Sequence, residues 1–194
     1  MDSFPAFFPL AGRRVVIVGA GEFADGKAQL FKGSPAEVVR IADDGRALDP
    51  ETYRGAALVF IGSAEDGFAA EAVKAARAAG APVNAVDRPA LCDFFTPALV
   101  DRGQVVAAVG TGGASPVLAQ ELRKALEEAV PEGVGRVAGL LQEFRDETRQ
   151  RFPEMAARRA FVAEVLAGPA AMAAMMGDMD QGRRLLRQAL DEAS

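Results

Sequence analysis

The hydrophobic positions of this chain follow one pattern in its N-terminal half and another in its C-terminal half. Short apolar runs that are rich in β-branched residues are typical of strands buried on both faces. Such runs occupy residues 15–18, 36–41, 57–61 and 82–86. An alanine-rich helical pattern fills residues 64–79, with Gly80 and Pro82 as its stop signals. Strands that alternate with helices predict an α/β domain built on a Rossmann-like parallel sheet.

In the C-terminal half, helix formers and paired charges replace the short apolar runs. Residues 98–101 and 104–109 are predicted to form two paired strands, joined by a turn at Arg102-Gly103. Helices are predicted over residues 117–129, 134–151, 153–167, 169–176 and 178–192. Methionines recur at helical spacings, namely Met172, Met175, Met176 and Met179. We interpret these methionines as adaptable core filler rather than as a ligand site.

The first apolar run leads directly into a glycine-rich turn with the spacing Gly-x-Gly-x-x-Ala. In this context Gly19 permits the tight turn, Gly21 lets the backbone approach a pyrophosphate, and Ala24 keeps helix and strand close. The N–H groups and dipole at the start of the helix predicted over residues 25–31 favour an anion. The predicted cofactor-binding residues are Gly19, Gly21, Glu22, Phe23 and Ala24. The alternative is a tight βα turn that binds no nucleotide.

An acidic pair follows the second predicted strand at a spacing that suits a dinucleotide cofactor. In dinucleotide-binding folds, an acidic residue about 20 positions past the turn holds the ribose hydroxyls. Asp43 lies 22 residues after Gly21, and Asp44 comes next to it. A carboxylate there would repel a 2′-phosphate, which favours NAD over NADP as cofactor. The alternative is that Asp43-Asp44-Gly45 is only a solvated turn.

The link between the second and third predicted strands is short. If the strand order is doubly wound, the 14 residues 43–56 must cross over the first strand. Two strand spacings are about 10 Å, and an extended link of this length reaches roughly 46 Å, so the link can cross. It leaves little room for a further strand beyond the second. We therefore expect the sheet to end at the second strand on the side where the adenine would bind.

Composition and charge restrict the kinds of function that the chain can have. Half of the 194 residues are hydrophobic and a quarter are charged, as in soluble globular proteins. The net charge of −5 argues against a nucleic-acid partner, and no apolar run approaches the roughly 20 residues of a membrane span. The first ten residues lack the basic lead of a secretory signal. Cys92 is the only cysteine, so no internal disulfide forms and a cytoplasmic location is expected.

The chain contains no histidine, and this restricts its chemistry. Ser-His and Cys-His nucleophile pairs and histidine-ligated zinc are excluded. Acid–base work must therefore fall to carboxylates, hydroxyls, the backbone or the single thiol. The fourth predicted strand delivers Asp87 to its carboxyl end, where ligands bind in open α/β sheets, so Asp87 is the candidate reacting group. The alternative is a turn-forming aspartate that bonds its own backbone.

Two longer motifs carry a family resemblance. The first reads Asn84-Ala85-Val86-Asp87-Arg88-Pro89-Ala90-Leu91-Cys92, and the second reads Thr111-Gly112-Gly113-Ala114-Ser115-Pro116-Val117-Leu118-Ala119. With these motifs and the glycine-rich turn, the chain resembles the siroheme synthase N-terminal family along its whole length. Members of this family are dehydrogenase–ferrochelatases, which convert precorrin-2 to sirohydrochlorin and then to siroheme.

The resemblance implies three parts and a homodimer. Residues 1–97 would form an NAD-binding Rossmann-like domain and residues 98–131 a small central dimerisation segment. Residues 132–194 would form a helical C-terminal domain that helps cover the tetrapyrrole. Asp87 matches the family's proposed catalytic aspartate. Its carboxylate would take a proton as hydride leaves for NAD, and it would guide Fe²⁺ as an oxygen ligand during chelation.

The resemblance also implies where the tetrapyrrole is held. The predicted contacts are Arg88, which follows the candidate reacting group, and Thr111, Gly112 and Gly113 of the second glycine-rich turn. The alternative for this second turn is that it only begins a helix, with Ser115 as the helix cap.

Departures from the family pattern fall on the cofactor half. Residues 43–56 replace a helix and a strand, Gly26 weakens the first helix by roughly 0.5–1 kcal/mol, and residues 62–66 differ from the usual sequence after the third strand. Two alternative functions therefore stay open, a chelatase without NAD binding and a non-catalytic tetrapyrrole-binding protein. We interpret Lys27 as a solvated side chain and Cys92 as a small buried residue.

Overall fold

The computed structural model describes residues 2–42, 44–63 and 65–193 of the chain. Within this part the chain divides into two compact units, Met1–Thr96 and Pro97–Ser194. The first unit alternates strands with helices, and the second combines a β-hairpin with a set of helices.

Parallel strands form a sheet at the centre of the first unit. They are β1 (Arg14–Val18), β2 (Glu37–Ile41), β3 (Ala56–Ile61) and β4 (Val83–Ala85). Their order across the sheet is β2-β1-β3-β4. The connections contain α1 (Gly21–Gln29), α2 (Asp44–Ala47) and α3 (Asp66–Ala78), with 3-10 turns at Pro50–Tyr53 and Pro89–Leu91. The Rossmann-like parallel sheet predicted from the apolar runs is confirmed.

The central strand β1 is buried on both faces, which explains its unbroken apolar sequence. On one face Ile17 packs in a cluster with Ala24 of α1 and Phe60 of β3. On the other face Val18 packs in a cluster with Val73 of α3. A fully buried side chain of this size contributes about 1.5–3 kcal/mol relative to an exposed one. These two apolar layers therefore fix the sheet between α1 and α3.

Helix α1 begins at Gly21, four residues before the predicted start at residue 25. Gly21 has a φ of +72°, a left-handed conformation that lets the chain turn from β1 directly into the helix. The helix therefore starts inside the glycine-rich turn, and Glu22 lies in its first turn. It ends at Gln29, and the chain then turns through Gly33, whose φ is +79°.

The link from β2 to β3 crosses over β1, as predicted, and β2 is an edge strand of the described sheet. The link contains α2 and the 3-10 turn Pro50–Tyr53. Tyr53 is fully buried, and its hydroxyl donates to the carbonyl of Ala47 at 2.5 Å. Asp49 caps the 3-10 turn by accepting from the N–H of Glu51 at 3.0 Å. The described sheet thus ends at β2, as predicted, and the folded link packs on the sheet face that carries α3.

The second unit begins with an antiparallel hairpin. Its strands are β5 (Ala98–Arg102) and β6 (Val105–Val109), which pair as predicted. The helices that follow are α4 (Pro116–Ala129), α5 (Val134–Glu143), α6 (Arg145–Arg151), α7 (Met155–Ala167), α8 (Pro169–Met176) and α9 (Met179–Glu192). The single helix predicted over residues 134–151 is two helices that meet at Phe144. The hydroxyl of Thr148 donates to the carbonyl of Phe144 at 2.8 Å, a side-chain bond that bends helices.

The core of the second unit lies among α5, α7, α8 and α9. Met175 and Met179 pack against this core, as predicted. Met172 and Met176 are 67% and 82% exposed, so the prediction that all four methionines fill the core is wrong. Helix α8 is apolar around its whole circumference, and periodicity therefore does not separate its buried side from its exposed side. In the described residues no single helix is long and apolar enough to cross a membrane, although α7 and α8 together, bent by 52°, meet the criterion.

Candidate functional site

The glycine-rich turn joins the carboxyl ends of three strands. The N–H of Gly19 donates to the carbonyl of Ile41 at the end of β2, at 2.8 Å. The N–H of Gly62, which follows β3, donates to the carbonyl of Val18 at 2.9 Å. A Cβ atom on Gly19 would lie 2.6 Å from the carbonyl oxygen of Gly62, and Gly19 has a φ of +111°. Only glycine fits here, because backbone packs directly on backbone.

The start of α1 is shaped for an anion. Ala20 precedes the helix and has no polar side chain that could cap the N–H groups of the first turn. A Cβ atom on Gly21 would meet no described atom within 4 Å, so space lies open beside the backbone. Ala24 is fully buried against the sheet, whereas Glu22 and Phe23 are exposed. These features fit a dinucleotide, whose pyrophosphate the N–H groups and the helix dipole would hold.

The ribose contacts expected after β2 stay a prediction. Asp43 lies outside the described residues, and of Asp44 only the backbone is described, as the first residue of α2. Arg40, one residue before the end of β2, pairs with Asp25 of α1 at 2.7 Å. An arginine near this position accommodates the 2′-phosphate of NADP in related folds, and its pairing with Asp25 opposes that role.

A cleft of about 310 Å³ opens at the carboxyl edge of the sheet. It is lined by residues from the ends of β3 and β4 and from the first turn of α1, which are Phe23, Gly62, Ser63, Asp66, Val86, Asp87 and Arg88. The cleft joins two predicted sites, because Phe23 belongs to the nucleotide turn and Asp87 is the candidate reacting group.

Asp87 lies in a turn with an unusual backbone conformation. The turn is closed by a hydrogen bond from the N–H of Arg88 to the carbonyl of Ala85 at 3.2 Å. Asp87 is the third residue of this turn, and its φ of +58° is the only positive value of a described non-glycine residue. Glycine or asparagine usually occupies such a position. Strained residues of this kind cluster at active sites, and aspartate also forms turns of this kind, so the catalytic role of Asp87 stays a prediction.

The side chain of Arg88 is held by protein groups on two walls of the cleft. Its Nη1 donates to the carbonyl of Ser63 at 2.8 Å and to that of Val86 at 3.2 Å. Its Nε and Nη2 donate to Oδ1 of Asp66 at 2.9 and 2.6 Å. The guanidinium therefore has protein acceptors on both sides, and its contact with a tetrapyrrole stays a prediction.

The polar groups beneath the Asp87 turn bond mainly to the backbone. Asn84 is buried in β4, and its Nδ2 donates to the carbonyl of Phe94 at 3.0 Å. Its Oδ1 is also buried, and no described group donates to it. The thiol of half-buried Cys92 donates to the carbonyl of Ala85 at 3.2 Å. Cys92 thus supports the end of β4 from outside the cleft, which agrees with a packing role rather than a nucleophilic one.

The prediction that Lys27 is a solvated side chain is wrong. Lys27 is half-buried, its Nζ donates to Oγ1 of Thr96 at 3.1 Å, and it lies 5.3 Å from the centroid of the Phe60 ring. Burial lowers the pKa of Lys27, and the nearby Cys92 and Asp87 oppose this shift. The physical reason is that the aliphatic stem follows the apolar face of α1 onto the sheet.

The second glycine-rich turn lies in the second unit and begins α4. Oγ of Ser115 accepts from the N–H of Leu118 at 3.2 Å and so caps the helix. Oγ1 of Thr111 donates to the carbonyl of Ser115 at 3.2 Å. Gly112 and Gly113 have φ values of +61° and +82°, which favour glycine. This geometry agrees with the helix-initiating alternative, and the tetrapyrrole contacts of Thr111, Gly112 and Gly113 stay a prediction.

The described residues contain no group of three or more Cys, Asp or Glu side chains that could hold a metal ion. Asp87 would therefore meet a metal ion as a single carboxylate ligand. The Fe²⁺ contact of Asp87 stays a prediction.

Gly62, Ser63 and Asp66 line the cleft without having been predicted as site residues. All of them follow β3 within five residues, so they share the carboxyl edge of the sheet with Asp87. A small and polar segment directly after a buried strand marks a ligand-binding edge in α/β folds. That signal was present in the sequence and could have found them.

Family matches cover parts of both units. A family described as putative NAD(P)-binding matches residues 6–98, and a family described as the sirohaem synthase dimerisation region matches residues 133–190. The first match includes the parallel sheet, the cleft and Asp87. The second falls on the helices from α5 to α9, whereas the dimerisation segment was expected at residues 98–131.

The chain is similar along its whole length to siroheme synthases. It is 39% identical over 214 residues to the siroheme synthase of Methylococcus capsulatus, covering 100% of this chain and 44% of that protein. It is 36% identical over 210 residues to the siroheme synthase of Pseudomonas entomophila, covering 100% of this chain and 45% of that protein. The chain thus spans less than half the length of these relatives.

The fold also matches a solved structure. A chain described as SirC, precorrin-2 dehydrogenase, has a TM-score of 0.75 with this chain and is covered over 100% of its length, against 98% of this chain. The sequence identity is 17%, so this similarity concerns the fold alone. The two family matches and the identity to siroheme synthases lead to one conclusion. The chain belongs to the siroheme synthase N-terminal family.

Proposed function

We propose that the chain is an NAD-dependent precorrin-2 dehydrogenase of siroheme biosynthesis that acts in the cytoplasm. One observation carries the proposal: Phe23 of the nucleotide turn and Asp87 line the same cleft. A hydride acceptor held over residues 19–24 would then lie beside a carboxylate that can take a proton. Membership in the siroheme synthase N-terminal family supports a tetrapyrrole as the substrate class.

The proposed reaction removes one hydride and one proton from precorrin-2 and leaves sirohydrochlorin. NAD⁺, when bound, supplies the hydride acceptor. Asp87 takes the proton from the macrocycle, and a positioned general base of this kind contributes about 10²–10⁴-fold to the rate. Phe23 is 51% exposed and gives the cleft an apolar wall against which a planar ring can pack.

The second glycine-rich turn is proposed to contact the tetrapyrrole. Gly112 and Gly113 expose backbone at the start of α4, and the hydroxyl of Thr111 lies beside them. Helix starts of this kind favour negatively charged groups. The carboxylates of the tetrapyrrole are groups of that charge.

Calorimetric titration with NAD⁺ and NADP⁺ tests the cofactor assignment. NAD⁺ is expected to bind in the micromolar range, about −8 kcal/mol, and more tightly than NADP⁺, because Asp43 and Asp44 are predicted to hold the ribose hydroxyls. Tighter binding of NADP⁺ would remove that role and assign the 2′-phosphate to Arg40. If neither NAD⁺ nor NADP⁺ binds, the dehydrogenase function is contradicted. The alternatives are then a chelatase or a non-catalytic tetrapyrrole-binding protein.

We propose metal insertion into sirohydrochlorin as a second activity of the same carboxylate, with Fe²⁺ as a substrate. The observation that favours it is that Asp87 lines the open cleft, where its carboxylate oxygens would meet pyrrole protons or a metal ion. Both activities should fall in Asp87→Asn. Iron insertion that persists in this variant, measured by the absorbance of the product, would place chelation elsewhere.

The second unit offers an apolar surface for a homodimer. None of the described residues of α4 is buried. Val117, Leu118 and Leu122 of this helix are 72%, 50% and 41% exposed. The hairpin on which α4 packs has only two strands, and such a pair is marginally stable by itself. We propose that a second copy of the chain covers this surface.

Two charge substitutions test where the dimer forms. Leu118→Glu is expected to give monomers at micromolar concentration in sedimentation velocity, because an unpaired charge in an apolar interface is strongly unfavourable. Met176→Glu on α8 is the matched control, since Met176 is 82% exposed and lies within the residues matched by the dimerisation family. Monomers from Met176→Glu alone would move the interface to residues 133–190.

A further inference from the structure

The turn that carries Asp87 is held by its neighbour Arg88. The Arg88 side chain is 17% exposed, and its guanidinium donates to Ser63, Val86 and Asp66. These acceptors belong to different pieces of the chain. Ser63 and Asp66 lie between the end of β3 and the start of α3, and Val86 lies in the turn itself. A single side chain therefore joins two walls of the cleft.

This contact depends on the shape of a guanidinium. Arginine presents its N–H groups in a rigid planar fork that bonds several acceptors in fixed geometry, whereas lysine offers one flexible ammonium. The carbonyls of Ser63 and Val86 are backbone groups, bonded at 2.8 and 3.2 Å. Asp66 is 94% exposed, so its ion pair with Arg88 contributes little by itself. The bonds to the backbone carry the larger part of the contact.

The Asp87 turn needs such a restraint. Asp87 has a φ of +58°, a left-handed conformation that aspartate adopts more readily than most residues but that still costs free energy unless the surroundings hold it. One backbone bond closes the turn from Arg88 to Ala85, and the N–H of Val86 donates to the carbonyl of Ile61 at 2.9 Å. The guanidinium adds a restraint from the opposite wall.

We propose that Arg88 is a positioning residue, whose guanidinium holds the Asp87 turn against the segment after β3 and so fixes the carboxylate in the cleft. The inference rests on the proposed role of Asp87 in dehydrogenation. It differs from the prediction that Arg88 binds the tetrapyrrole, and the two roles have different kinetic signatures. Loss of positioning lowers kcat, whereas loss of a contact made equally in ground and transition states raises KM.

Steady-state kinetics of Arg88→Gln, Arg88→Lys and Asp66→Asn with NAD⁺ and precorrin-2 test the proposal. Arg88→Gln is expected to lower kcat about tenfold or more and to keep KM within about twofold, because a catalytic group misplaced by about 1 Å loses up to about 100-fold in rate. Arg88→Lys should recover only part of the loss. Asp66→Asn should lower kcat by about threefold or less.

Arg54→Gln is the matched control, because Arg54 forms an exposed ion pair with Glu51 away from the cleft. Both kinetic constants should be unchanged in this variant. A raised KM with unchanged kcat in Arg88→Gln would overturn the proposal in favour of substrate binding.

Hydrogen exchange gives a readout that does not depend on activity. In Arg88→Gln, the amides at positions 86 and 88 are expected to exchange about tenfold faster, because the turn opens locally more often. Mass spectrometry of peptides covering residues 83–91 measures this, with peptides from α3 as the internal reference. Unchanged exchange over residues 83–91 would overturn the proposal. Faster exchange together with full activity of Asp87→Asn supports the restraint and contradicts the proposed function, so the two failures are distinguishable.

Discussion

The two edges of the parallel sheet in the first unit are built differently. At the β2 edge no further strand follows in the described sheet, and the short link to β3 folds over the sheet face that carries α3, where Tyr53 is fully buried. At the β4 edge, the chain leaves the sheet through the strained turn of Asp87 beside an open cleft. The link is fixed by side-chain packing on one sheet face, whereas the β4 edge is open to the cleft and its turn is fixed by hydrogen bonds. Backbone strain and a buried acceptor without a described donor, Oδ1 of Asn84, occur at the open edge.

The β2 edge lies beside the turn that would bind the cofactor. One departure from the family pattern, the short link over residues 43–56, begins at the β2 edge, yet the nucleotide turn beside it keeps its geometry. Gly19 bonds the end of β2, and α1 begins at Gly21 with an open side. The shortened link therefore changes the adenine side of the sheet without disturbing the part that would hold a pyrophosphate.

The largest effect is expected at the open edge. Asp87→Asn should lower kcat for precorrin-2 dehydrogenation by about 100-fold or more, because an amide cannot take the proton. NAD⁺ affinity and Tm should stay unchanged, since asparagine also tolerates a positive φ. Glu71→Gln on α3 is the control, because Glu71 is 64% exposed and lies outside the cleft, and it should keep full activity.

A smaller effect is expected at the nucleotide turn, where substitutions of two glycines distinguish a role in packing from a role in cofactor binding. Gly19→Ala should lower the free energy of unfolding by about 2 kcal/mol or more, because its Cβ would lie 2.6 Å from the carbonyl oxygen of Gly62. Gly21→Ala meets open space and should cost only about 1 kcal/mol for its positive φ. It should nevertheless weaken NAD⁺ binding about tenfold or more, since the methyl group would stand where the pyrophosphate approaches.

Gly26→Ala is the control for these two variants. Gly26 lies in the middle of α1, and a Cβ there meets no described atom within 4 Å. The substitution should raise the free energy of unfolding by about 0.5–1 kcal/mol and leave NAD⁺ affinity unchanged. Urea denaturation and calorimetry measure the two quantities. Unchanged NAD⁺ affinity in Gly21→Ala would contradict the role of the turn in cofactor binding.

The smallest effect is expected at the folded link between β2 and β3 and depends on pH. Burial raises the pKa of Tyr53 to about 12, whereas an unfolded chain titrates near pH 10. A pKa raised by folding means that the stabilising contribution is complete below about pH 10 and is lost as the pH rises towards 12. Because Tyr53 is the only tyrosine of the chain, its titration can be followed directly by tyrosinate absorbance.

Tyr53→Phe is the matched variant for this link. At pH 8 it should lower the free energy of unfolding by about 1 kcal/mol, the value of the hydroxyl bond to Ala47. Its stability should then change less than that of the wild type between pH 10 and 12. Titration of wild-type Tyr53 near pH 10, without loss of stability above it, would show that the link is open to solvent.

The fold of the first unit could be predicted from its sequence because local signals were unambiguous. The apolar run of β1 is buried on both faces, and the length of residues 43–56 permits a crossover but leaves little room for a further strand. Prediction from the local sequence pattern failed where contacts in the folded protein determine the bounds of a helix. Helix α1 starts inside the glycine-rich turn at Gly21, and one predicted helix is two helices that meet at Phe144, whose carbonyl accepts from the hydroxyl of Thr148.

The position of the candidate site could be predicted from the sequence, but the contacts that hold its residues in place could not. The position of Asp87 after β4 places it at the carboxyl edge, where the cleft is found. Its positive φ and the bonds of Arg88 to Ser63 depend on contacts between segments 25 residues apart, which spacing along the chain does not encode. The burial of Lys27 against Phe60 likewise requires the helix to be docked on the sheet.

The proposal that Asp87 takes a proton while hydride passes to NAD⁺ has one decisive measurement. It is an anaerobic single-turnover reaction of precorrin-2 and NAD⁺ with the wild-type chain and with Asp87→Asn, in which NADH and sirohydrochlorin are followed by absorbance. The wild type should form both products in equal amounts, and the variant should form neither while still binding NAD⁺. Formation of both products at the wild-type rate by Asp87→Asn, or no NADH from the wild type with both substrates bound, would contradict the proposal.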